Sequence, residues 1–94
     1  MPAYFVARVA VHDWDEFRAY QKGVIPSLES YEGRVLAAGP GEHVEGEKPK
    51  DVNVILRFPS KDKVWEWYRS EPYQAILGQR LASSRADVHI VDGF

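Results

Sequence analysis

Hydrophobic and polar residues recur along this chain with two different periods, and the switches between them mark its elements. Residues 4–11, Tyr-Phe-Val-Ala-Arg-Val-Ala-Val, are β-branched and aromatic and predict a strand. Asp13 then stands where a helix cap belongs, with Glu16 three residues on as in a capping box. From there Trp14, Phe17, Tyr20, Val24, Leu28 and Tyr31 return every three or four positions and make one apolar helical face. Gly23 and Pro26 interrupt it. Proline has no amide hydrogen and crowds the preceding turn, so a kink or a restart is expected there. Gly33 fits the terminator, because glycine takes positive φ without strain.

Residues 34–39 predict a second short strand, followed by a loop from Gly39-Pro40-Gly41 to Pro49 that is longer than most connections. Residues 51–58 are dense in apolar side chains, as a central strand requires. Pro59-Ser60 opens a helix carrying Val64, Trp65, Trp67 and Tyr68. Ser70-Glu71-Pro72 breaks it and starts another, reaching about residue 83. Residues 87–91 read as the last strand, stopped by Asp92-Gly93. The order strand, helix, strand, strand, helix, strand predicts an α+β, ferredoxin-like βαββαβ fold, with one antiparallel sheet and helices on one face.

The pleat assigns the sides of that sheet. Phe5, Ala7, Val9 and Val11 fall with Val52, Val54, Leu56, Phe58, Val88 and Ile90 on the helix side. The opposite side mixes Tyr4, Val6, Ile55 and Val91 with Arg8, Asn53, Arg57 and His89. That mixture is too apolar for water and too polar for a core, which marks a partner surface. A two-fold pairing needs only one self-complementary face, so a homodimer is expected, with Tyr4, Arg8, Asn53, Ile55, Arg57 and His89 at its boundary. Arg8 and Arg57 are expected side by side, needing an anion from a ligand or from the other subunit.

Composition narrows the class further. The 94 residues fit one domain spanning 1–94, with a thin core. At 45% hydrophobic and 28% charged, the chain is not of disordered type. The absence of cysteine removes disulfides, thiol nucleophiles and cluster ligands. Net charge is −2 with the signs interspersed, which argues against a nucleic-acid partner. The longest apolar run, residues 52–58, is broken by Asn53 and Arg57 and is too short to span a membrane. Residues 1–4 lack the features of a signal peptide, so a cytoplasmic location is expected.

Several stretches are familiar in combination: Tyr31-Glu32-Gly33-Arg34-Val35-Leu36, Val44-Glu45-Gly46, Phe58-Pro59-Ser60, Trp67-Tyr68-Arg69-Ser70 with Tyr73, Arg80 before Ser83-Ser84, and Val91-Asp92-Gly93. With Tyr20 on the first helix, they resemble the DUF1330 family of the dimeric α+β barrel superfamily over nearly the whole chain. The resemblance implies the fold and the dimer. It implies no reaction: relatives in the superfamily include cofactor-free monooxygenases, lactone isomerases and haem-binding enzymes, and fold does not fix function. The chain departs from the family at Glu32-Gly33, where two glycines are common, which implies a stiffer helix exit.

Tyr20, Glu45, Tyr73 and Arg80 are the candidate ligand-binding group. Arginine forks onto a carboxylate or enolate, a tyrosine hydroxyl donates to an oxyanion, and a partly buried glutamate serves as a base. The structural alternative is that Arg80 and Glu45 pair while the tyrosines pack their rings. His12, His43 and His89 form no ligand array, so no metal is expected. No nucleotide fingerprint, cofactor motif or haem ligand is present, and nothing supports a serine triad. Trp14, Trp65 and Trp67 read as core or cleft aromatics. Two functions remain: a protein binding an organic acid or aromatic ligand in a helix–sheet pocket, with or without cofactor-free catalysis, and a structural or assembly module without a ligand.

Overall fold

A computed structural model, which describes all residues 1–94, places the two most apolar strands at the centre of a four-stranded sheet. The elements are β1 (Ala3–Val11), α1 (Trp14–Leu28), a 3₁₀ turn (Glu29–Tyr31), β2 (Arg34–Gly39), β3 (Val52–Phe58), α2 (Lys61–Tyr68), α3 (Glu71–Ser83) and β4 (Ser84–Asp92). Strand order is β2-β3-β1-β4, and every neighbouring pair is antiparallel. This is the ferredoxin-like α+β arrangement that the element order predicts.

Each helix starts at a side chain able to take a free amide. Asp13 Oδ1 accepts from Glu16 N at 3.2 Å, Ser60 Oγ from Lys63 N at 3.2 Å and Ser70 Oγ from Tyr73 N at 3.4 Å. Such caps are worth ~1 kcal/mol each. The helices cover the side of the sheet that carries Phe5, Ala7, Val9, Val52, Leu56 and Phe58, all buried. Trp67 fills the middle of this layer, with its ring edge-on to Phe5 (5.1 Å, 86°) and tilted against Tyr73 at 4.1 Å.

Three local expectations change. First, α1 neither stops nor restarts at Pro26. Proline falls in the last turn, where little helix remains to be disrupted. Gly23 has a packing role instead: a Cβ there lies 2.8 Å from Ile76 Cγ2, so its absence lets α1 and α3 close together. Second, the left-handed residue at the helix exit is Glu32 (φ 57°), not Gly33. A Cβ on Gly33 meets Leu28 Cδ2 and Phe58 Cε1 at 2.7 Å, so this glycine is required for space. Third, β4 begins at Ser84, directly after α3, because Ser84, Arg85 and Ala86 extend the ladder opposite Val11, Ala10 and Val9.

The open face carries Tyr4, Arg8, Asn53, Ile55, Arg57 and His89, as the pleat predicts, but its charges meet differently. Arg8 and Arg57 are not side by side. Register sets Arg8 between Asn53 and Asp87, and Arg57 between Tyr4 and Arg34. The anion on Arg8 is therefore Asp87, 3.6 Å away in the same chain. Lys50 Nζ also bonds Asp87. Its hydrogen bond and its charge hold that carboxyl below the usual range, with Arg8 and His89 adding to the effect. No helix is long and apolar enough to cross a membrane.

Candidate functional site

A cavity of about 190 Å³ lies between α1 and the β1–β3–β2 part of the sheet, partly open to solvent. Its origin is steric. Ala7 and Ala38 project only a methyl group from the sheet below it, while Val24 and Ile25 of α1 lie above. Eleven of its thirteen lining residues are hydrophobic, the exceptions being Gln21 and Arg80.

The polar part is built from two helices. Tyr20 comes from the buried stripe of α1, and Tyr73 and Arg80 from α3, where Ser70 caps the helix whose first turn holds Pro72. Helix periodicity puts Tyr73, Leu77 and Arg80 on one face of α3, and all three are buried. The Tyr20 and Tyr73 hydroxyls are 2.8 Å apart, one donating to the other. Tyr73 does not line the cavity. It is fully buried behind Tyr20 and against Trp67, so it fixes the Tyr20 hydroxyl.

Burial pushes the Tyr20 hydroxyl above the ordinary tyrosine range, and its neighbour Tyr73 pushes it further, against the pull of Arg80. The Tyr20 phenol then acts as a neutral donor or acceptor near neutral pH. Arg80 is only 6% exposed, and its Nε–H has no hydrogen-bond partner. Burial works to lower its basicity, but the phenol oxygens of Tyr73 and Tyr20 outweigh that and raise it. The guanidinium thus stays charged. None of the ion pairs in the fold involves it. Chemically, the site offers a fixed, unpaired positive charge and a phenol held by a second phenol, at the edge of an apolar chamber.

Of the four residues singled out from sequence, Tyr20, Tyr73 and Arg80 come together. Glu45 does not: it is exposed in the loop between β2 and β3 and is absent from the cavity wall. The alternative ion pair between Arg80 and Glu45 is likewise not formed. Gln21, Ile25, Val35 and Ala38 line the chamber without having been singled out. Gln21 and Ile25 were legible as the flank of the Tyr20–Val24 stripe, whereas nothing local marks Ala38. Trp14 and Trp65 lie outward, under Arg18 and Arg69, with the guanidiniums 5.7 and 4.6 Å from the ring centres. Trp65 and Tyr68 wall a separate, more open depression against β4, where His89 and Lys61 also lie. No group of three or more His, Cys, Asp or Glu side chains is placed to hold a metal ion.

The family described as "Domain of unknown function (DUF1330)" matches residues 2–94. No curated protein matches the chain. Among solved structures, a protein of unknown function from Rhodopseudomonas palustris is similar with TM-score 0.83 and 18% identity, over 99% of this chain and 82% of that one. A dimeric ferredoxin-like protein of unknown function from Jannaschia sp. CCS1 gives TM-score 0.80 and 14% identity, over 99% of this chain and 100% of that one. SnoaB, a cofactor-independent oxygenase from Streptomyces nogalater, gives 0.72 and 15%, over 99% and 93%. At such identities the likeness is one of fold.

Proposed function

The chain belongs to the DUF1330 family, whose function is unknown, and from that premise we propose that it is a homodimeric protein binding a small organic ligand, an organic acid or a compact aromatic compound, in the helix–sheet cavity. One observation carries this reading: a mostly apolar chamber has at its wall a buried, charged side chain that no carboxylate of the chain pairs. Small-molecule sites have this character, apolar walls with a few placed polar groups. Tyr20 and Arg80 are the ligand-contacting residues, and Tyr73 positions Tyr20. The similarity to a cofactor-independent oxygenase makes cofactor-free chemistry, monooxygenase- or isomerase-like, the catalytic extension of this reading by fold analogy alone.

The homodimer is the second part of the proposal. Ile55 and Val91 are 36% and 49% exposed on the open face, beside half-buried Tyr4 and Val6. One structure of this fold is described as dimeric. Pairing two such faces takes the apolar side chains out of water at about 25 cal/mol per Å².

Thermal shift with a panel of organic acids and aromatic compounds tests the pocket. A ligand at a hundred times its Kd adds about 2.7 kcal/mol, roughly 10 °C or more in Tm for a chain this size. Ala38→Phe, which fills the chamber, abolishes the shift. A panel with no effect overturns the binding reading and favours a structural or assembly module. Sedimentation at micromolar concentration tests the dimer, and a stable 10.7 kDa species overturns it.

A further inference from the structure

Resting on the binding reading above, we infer that the ligand is a monoanion carrying a single ring or a short branched chain, with its carboxylate on Arg80 and Tyr20 and its apolar body between α1 and the sheet.

Charge decides the first part. A guanidinium is protonated at any physiological pH. Arg80 is 6% exposed, no ion pair neutralises it, and the groups beside it are phenols rather than carboxylates. A buried charge without a counter-ion is strongly unfavourable, so the site is electrically incomplete as the chain builds it. A neutral ligand leaves it so. A dianion overshoots, because the chamber holds no second cation and eleven of its thirteen lining residues are hydrophobic.

Hydrogen-bond inventory decides where the carboxylate goes. Arg80 lines the cavity and its guanidinium meets no carboxylate of the chain, while its Nε–H is sealed off from the chamber, so the outer end of the guanidinium is the part a ligand meets. The Tyr20–Tyr73 bond employs one hydroxyl proton and leaves the other free, and the orientation is open. When Tyr73 donates to Tyr20, the Tyr20 proton is available at the cavity wall. The chain Tyr73 to Tyr20 to ligand then satisfies every hydroxyl. A carboxylate has two oxygens, one for the outer end of the Arg80 guanidinium and one for the Tyr20 hydroxyl.

Volume decides the body. An apolar protein cavity of ~150 Å³ holds benzene, and this one measures about 190 Å³. One ring or a branched chain of similar bulk matches that volume, whereas a fused two-ring system exceeds it and leaves part of its apolar surface in water at the open side.

Calorimetry and thermal shift on the full chain, with benzoate, 3-methylbutanoate, benzamide, phthalate and 2-naphthoate as probes, test the inference at neutral pH. Benzoate or 3-methylbutanoate is expected to bind, with benzamide weaker by at least about tenfold and phthalate and 2-naphthoate weaker than benzoate. Arg80→Met removes the preference for acid over amide. Tyr20→Phe, a smaller change, lowers benzoate affinity more than benzamide affinity, because the bond to an ionised acceptor is the stronger one, and serves if Arg80→Met fails to fold. Equal binding of benzoate and benzamide overturns the monoanion while the pocket reading stands. Phthalate or 2-naphthoate binding as tightly as benzoate overturns the single charge or the single ring. If no probe binds and the wider panel also fails, the pocket reading falls and this inference with it. A panel hit confined to neutral compounds overturns the inference alone.

Discussion

Trp67 Nε1 donates a 2.9 Å hydrogen bond to Ser27 Oγ, which in turn donates to the Val24 carbonyl at 2.6 Å. The indole is wholly buried and is the largest side chain of the core, so its one donor needs this partner. The bond ties α2 to the last turn of α1, the helix that roofs the cavity. Ser27→Ala leaves the N–H buried and unpaired, which costs ~1–3 kcal/mol. Denaturant titration is expected to show that loss with an unchanged m-value. In the Trp67→Phe background, which has no N–H to strand, the added effect of Ser27→Ala is smaller. Additive losses would show that the bond contributes nothing.

Glu32 and Gly33 are adjacent and respond in opposite directions. Glu32 holds a left-handed backbone (φ 57°) that disfavours any residue with a Cβ, whereas Gly33 has no room for one. Glu32→Gly is expected to raise stability by about 1 kcal/mol. Gly33→Ala drives a methyl into Leu28 and Phe58 and lowers it by ~1–3 kcal/mol. Thermal melts of the two variants check both signs, and a stabilising Gly33→Ala would refute the packing assignment.

Tyr20 gives the fold an alkaline limit. Its folded pKa lies above the ordinary value of 10.0 because the buried site penalises the phenolate. A group raised on folding contributes stability that is full below the unfolded pKa and lost as pH climbs above it. Stability therefore declines above about pH 10. In Tyr20→Phe that decline is shallower. Phenolate absorbance adds a direct reading: fewer than the five tyrosines of the chain ionise before alkaline unfolding. Tyr20→Phe leaves the native-state amplitude unchanged, and an amplitude reduced by one tyrosine would place Tyr20 in water.

Much of the fold is legible in the sequence. Asp13, Ser60 and Ser70 announce their helices because a cap is a contact within one turn. Alternation along β1, β3 and β4 sorts helix-side from open-face residues because the pleat has a period of two. Asp87 was legible by the same rule, two positions before His89, yet its charge mattered only once β4 paired with β1. The grouping of Tyr20, Tyr73 and Arg80 was partly legible, since each lies on a helical stripe. Glu45 was chosen from a loop, where no periodicity fixes direction, and it lies outside.

The sequence by itself determined the elements, their caps and the side of the sheet on which each residue falls, because these depend on neighbours a few positions apart. Tertiary structure alone decided which distant groups meet. Strand register put Arg8 with Asp87 and Arg57 with Arg34. Close approach of α1 and α3 at Gly23 accompanies the pairing of Tyr20 with Tyr73, 53 positions apart. Register and helix packing are settled by the fit of whole surfaces, which no short pattern encodes. The same fit left Arg80 buried beside a chamber with no acid to answer it.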